Sequence, residues 1–210
     1  MSTTISSFSA HVETHSKLSR IEQNDLPGAA VVAICQGDIV SRYVLCTYLL
    51  KHHYICVQLT RDVDLVQLLL KKMNNEQVDY DGNTLLHEAA QNGRLDIVDI
   101  LLRHGADPNK ANRWGITPFA KAIIHGRLYV VVRFLDEKID FDKKDVYGNT
   151  FLHIAAQHGW LKIAEILLPS MHDINLPNMY NATPRDLAYQ FGHVDIVNLI
   201  SYEILKRLWK

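Results

Sequence analysis

Thr84, Thr117, Thr150 and Thr183 stand 33 residues apart, and so do Gly93, Gly126, Gly159 and Gly192. Gly82, Gly115 and Gly148 share the period, with Asn181 at its fourth position, and the apolar pairs Leu101-Leu102, Phe134-Leu135 and Leu167-Leu168 fall on it as well. A period of this length marks a chain built from stacked supersecondary units, none of which can bury its apolar face alone. It restricts the fold to a repeat array before any single segment is assigned.

Within each period the residues read as helix, turn, helix, loop. Thr84 and its equivalents have the side chain of an N-cap, and Pro118 and Pro184 follow their threonines at the position where a missing N–H is harmless. Gly93 and its equivalents come nine residues later and can adopt the left-handed conformation that closes a short helix. A second helix follows, with Leu95, Val98, Leu101 and Leu102 spaced to share one face. Asn181 stands where the other repeats have glycine and tolerates positive φ next best, so the turn is expected to survive there.

The stretch Asp79 to Asn109, DYDGNTLLHEAAQNGRLDIVDILLRHGADPN, resembles the ankyrin repeat. The resemblance implies an all-α ankyrin-repeat solenoid of stacked helix-turn-helix units with projecting loops. Four periods cover 79–210, as 79–111, 112–144, 145–177 and 178–210. Residues 29–78 read as an N-terminal helical region containing a degenerate capping repeat. That repeat is seen in Tyr54 to Leu70, which aligns with the next period but carries Arg61 in place of glycine. Residues 1–28 are a polar extension rich in Ser and Thr. Three departures stand out. Ile123 replaces the alanine of Ala90 and Ala156, which calls for local repacking. Lys138-Ile139-Asp140 and Met171-His172-Asp173 replace Gly105-Ala106-Asp107, and Pro169 should end its helix early. In the last period, Val194, Val197, Leu199 and Ile200 are expected to cover the preceding outer helix.

Composition removes several function classes. Twenty-two Lys and Arg against 23 Asp and Glu leave a net charge of -1, which supplies no broad basic field for nucleic acid or an anionic membrane. No stretch reaches the roughly 18 consecutive apolar residues of a membrane span, and no secretory leader is visible. Cys35, Cys46 and Cys56 are too few and odd in number for a disulfide framework and fit reduced thiols in a cytoplasmic setting. His52, His53 and Cys56 offer metal-ligand types without a second cluster at zinc spacing, so no metal is expected. No phosphate loop or nucleophile motif is present, and Asp96 and Asp99 read as a solvated helix face, so neither enzyme nor cofactor is expected. His87 and His153 recur at one repeat position; in the resembled family this histidine hydrogen-bonds within the threonine turn.

The resemblance also implies where a partner sits, because loop tips and inner helices line a concave groove in that family. Tyr80, Trp114, Tyr147 and Tyr180 fall at the loop tips, with Arg113 beside Trp114. Gln91, Asn92, Ile124, His125, Gln157, His158, Gln190 and Phe191 fall at the ends of the inner helices. Aromatic residues at such places serve as binding anchors, and the competing reading is a ladder of rings that only stabilises the stack. The expected function is recognition of a protein partner by a monomer, inside a cell. Two alternatives stay open: an effector that an intracellular bacterium or virus delivers to host proteins, and a structural module contacted through its N-terminal region.

Overall fold

In the computed structural model, residues 78–209 are described; the extension at 1–28, the degenerate repeat at Tyr54 to Leu70, the three cysteines, His52 and His53 lie outside them. Eight α-helices are described: α1 Leu85–Asn92, α2 Leu95–Arg103, α3 Pro118–Ile124, α4 Leu128–Phe134, α5 Phe151–His158, α6 Leu161–Leu167, α7 Pro184–Gln190 and α8 Val194–Leu208. Successive pairs form hairpins. The odd-numbered helices pack side by side as an inner row, and the even-numbered helices as an outer row.

Each inner helix begins at its threonine, which takes an extended φ,ψ. Thr84 and Thr150 form capping boxes with His87 and His153, and Thr183 forms one with Asp186. Gly93 and Gly159 close α1 and α5 in the left-handed region, and Asn181 holds its turn at φ 58°, as the sequence suggests. The turns after α4 and α6 use no left-handed residue. Instead α6 stops at Leu167 and runs into a 3₁₀ turn at Leu168–Ser170 containing Pro169, whose ring cannot continue the helix.

The core lies between the two rows. Leu86, Ile97, Leu101, Phe119, Ile123, Phe134, Leu152, Leu167, Ile196 and Ile200 are fully buried. Two sequence assignments need correction. Leu95 is exposed, and Ile97, Val98, Ile100 and Leu101 carry the buried face of α2. Val194 is also exposed, at 63%, and Ile196 with Ile200 takes its place on α8. Both exposed residues open their helices, and the buried face begins two residues later, at Ile97 and Ile196.

The joints between repeats are of two kinds. Between the first and second, His87 Nδ1 accepts the Thr84 N–H at 3.0 Å while Nε2 bonds the Ile116 carbonyl at 2.9 Å, and the Asn112 amide donates to Asn83 Oδ1 at 2.7 Å. Between the third and fourth, His153 bonds the Ala182 carbonyl at 3.0 Å and Asn178 donates to Asn149 at 2.8 Å. The middle joint has Ala120 and Ile116 at the positions of His87 and Asn83, so it lacks both latches. It is filled by phenylalanines: Phe119 meets Phe151 edge-on at 4.8 Å, with Phe134 and Phe141 around them.

Candidate functional site

Successive loop tips are tied by one main-chain bond each: Arg113 N–H to Asp81 O, Val146 N–H to Trp114 O and Met179 N–H to Tyr147 O, at 2.9 to 3.0 Å. Each tip is shaped from within by an acid or amide side chain. Asp145 accepts the Tyr147 and Asn149 N–H groups, and Asn178 accepts those of Tyr180 and Ala182. These bonds fix where the loop-tip aromatics stand.

A groove of ≈ 610 Å³ runs along the inner row from the second to the fourth repeat. Ile116, Ile124, Ile154, Leu187 and Phe191 give it an apolar floor. Tyr147 and Tyr180 form one wall, stacked at 6.3 Å between centroids with 28° between planes, and Gln157, His158 and Gln190 form the other. Seven residues expected from sequence therefore meet here: Ile124, Tyr147, Gln157, His158, Tyr180, Gln190 and Phe191. His125 stands at the edge, close enough to His158 for their charges to interact.

The others lie apart from it. Tyr80 is 86% exposed with the Arg113 guanidinium 5.0 Å over its ring. Asn92 spends its amide on the Glu88 carbonyl, and the Gln91 carbonyl accepts from Arg127. Trp114 is half exposed and makes no ring pair with Tyr147, so of the four loop-tip aromatics Tyr147 and Tyr180 stack while Tyr80 and Trp114 stand apart. Ile116, Ile154 and Leu187 escaped the sequence reading although the 33-residue register contains them. Ile154 and Leu187 hold the positions of Glu88 and Lys121, and that change from charged to apolar along one column was the available signal.

The scaffold histidines are held neutral. Nδ1 of His87 accepts a backbone N–H, so Nε2 carries the proton, and burial lowers the pKa to about 4. His153 is lowered for the same reason. Glu88 is buried with one carboxylate oxygen lacking a hydrogen-bond partner, and burial raises its pKa. Among the described residues no group of three potential ligands could hold a metal ion, and no helix is long and apolar enough to cross a membrane.

The family model of ankyrin repeats in three copies matches residues 51–112 and 119–207, well over half of the chain. This chain belongs to the ankyrin-repeat family. It is similar to human 2-5A-dependent ribonuclease, at 52% identity over 65 residues, which are 30% of this chain and 9% of that protein. It also resembles an ankyrin repeat protein of Variola virus, at 36% over 70 residues (33% of this chain, 12% of the relative). A fowlpox virus ankyrin repeat protein matches at 47% over 62 residues (29% and 18%). The shared stretch thus spans less than a fifth of each of these relatives. Ankyrin repeats are generally protein-interaction modules and are generally non-catalytic, and the likeness to the ribonuclease falls in the repeat region alone.

Proposed function

We propose that this ankyrin-repeat chain is a monomeric recognition module that holds a protein partner in the groove over α3, α5 and α7 and performs no catalysis. The observation that carries this reading is the groove itself: an apolar floor left open to solvent beside two stacked tyrosines, while the framework residues are spent on the core. Phe191 is 49% exposed there and Tyr180 73%, which is the kind of aromatic surface that anchors interfaces. Tyr80, Gln91, Asn92, Arg113 and Trp114 then form a second contact zone over the first repeat and the loop tip of the second, with His125 between the two. A groove along three repeats offers room for the roughly 800 Å² per partner of a stable interface.

The test is affinity capture from cell extract with the unmodified chain and with Tyr147→Ala/Tyr180→Ala. The double variant is expected to keep its helical signal and lose its partners. Equal capture by both chains would place the binding surface elsewhere.

The likeness to Variola and fowlpox ankyrin proteins favours a second reading, in which the chain is an effector acting on host proteins inside an infected cell. Capture from host-cell extract against extract of unrelated cells distinguishes it.

A further inference from the structure

The two walls of the groove differ electrically. On the loop side the single carboxylate is Asp145, and its oxygens are occupied: Oδ1 accepts the Tyr147 and Asn149 N–H groups at 2.9 and 2.8 Å, and Oδ2 the Asn149 amide at 2.9 Å. On the helix side His158, at the end of α5, lines the groove, and beside it stand Lys121, His125 and Arg127 around the end of α3 and His193 beyond α7. Lys121, Arg127 and His158 all act on His125, and His193 acts on His158; no carboxylate acts on either imidazole.

Among the described residues this edge forms no ion pair of its own. The ion pairs among the described residues include Arg94–Asp96, Arg133–Asp99, Lys162–Glu165 and Arg207–Glu203, on or beside the outer helices, and none involves Lys121, Arg127 or these histidines. Arg127 gives its Nε–H to the Gln91 carbonyl, which is neutral. The acid that acts with Lys121 from α1 is Glu88, which is buried and whose pKa burial raises. Gln91 and Asn92, the other residues at that end of α1, are uncharged.

From this asymmetry we infer that the groove takes an acidic peptide segment bearing an apolar anchor. Its carboxylates lie along Lys121, His125, Arg127 and His158, and its anchor enters between Ile124, Ile154, Leu187 and Phe191. The inference rests on the groove being the partner site. Nucleic acid also carries negative charge, but the floor is mainly aliphatic, and the two tyrosines stack on each other instead of offering open platforms for bases. Burial, the larger influence on both, and neighbouring positive charge hold His125 and His158 below the ordinary imidazole range. A bound carboxylate reverses that shift, so binding takes up protons and tightens as pH falls through the histidine range.

Random short peptides displayed on phage and panned against the full chain test this, followed by anisotropy of the enriched peptides. The expected result is enrichment of Asp and Glu around Leu, Ile or an aromatic residue. Affinity should fall with salt and rise from pH ~7.5 to ~5.5. Lys121→Gln/His158→Gln, at solvent-accessible positions, is expected to weaken binding about tenfold and to flatten the pH response. Neutral or basic peptides that still lose binding on Ile124→Ala would overturn the acidic partner and leave the groove reading standing. Acidic peptides indifferent to Ile124→Ala and to Tyr147→Ala would sink both. Salt-independent affinity of the unmodified chain, no enrichment above bare support, or tighter groove binding by a single-stranded DNA pool each contradicts the inference.

Discussion

At the residue scale the stack is held by side chains that reach back one repeat. Arg127, Trp160 and His193 each lie over the glycine that closes the preceding inner helix, and an added Cβ at Gly159 would stand 2.6 Å from the His193 ring. Gly192 has a similar φ of +79° with nothing within 4 Å. Gly192→Ala is therefore expected to lose about 1 kcal/mol from backbone strain alone, and Gly159→Ala about 1 to 2 kcal/mol more, read as the difference in urea midpoints. Equal losses would show that the packing over glycine is slack. The scaffold histidines make a second prediction. Their folded pKa values are depressed, so the unfolded chain binds more protons between the two values, and stability is complete above the unfolded value near 6.5 and declines as pH falls toward 4. For His87 the loss at pH ~5 is roughly 2 kcal/mol, and melting curves at pH ~7.5 and ~5 should separate by several degrees. Identical curves would mean that neither imidazole is neutral in the fold.

At the scale of elements the alternation of joints is the organising feature. Buried polar latches join the first repeat to the second and the third to the fourth, while the middle joint relies on phenylalanines. Native-state hydrogen exchange is expected to show α1–α4 and α5–α8 opening as two units, where a single common opening energy would contradict it. Removal of residues 193–210 should uncover α6, the 3₁₀ turn and the residues just after it, where Arg207 holds the carbonyls of Leu168, Met171 and His172, and the shortened chain should aggregate. Most of this layout was legible in advance, since the period, the threonine caps and the Asn181 turn are local and recur. The buried stripe of the outer helices was not. Leu95, Ile97, Val98, Ile100, Leu101 and Leu102 are all apolar, so spacing permits more than one face, and contact with the inner helix selects among them. The latches were half legible: His87 and His153 recur, but their carbonyl acceptors lie 29 residues away in the next repeat and have no sequence signature.

For the whole molecule, the core and the proposed recognition groove are built from different residues. Leu101→Ala, fully buried, is expected to cost about 2 to 5 kcal/mol of stability and to weaken binding only through unfolding. Tyr147→Ala/Tyr180→Ala removes exposed rings and should move stability by about 1 kcal/mol, chiefly the loss of their stacking. The loop-tip aromatics read from sequence divide likewise, with Tyr147 and Tyr180 on the groove and Trp114 away from it, although the 33-residue register makes the three equivalent. The most direct measurement is the hydrogen-exchange difference between the free chain and the chain bound to its captured partner. Increased protection is predicted at the ends of α3, α5 and α7 and at the loop tips around Tyr147 and Tyr180, with the exposed faces of α2, α4 and α6 unchanged. Protection concentrated on those outer helices, or confined to residues 1–77, would contradict the account.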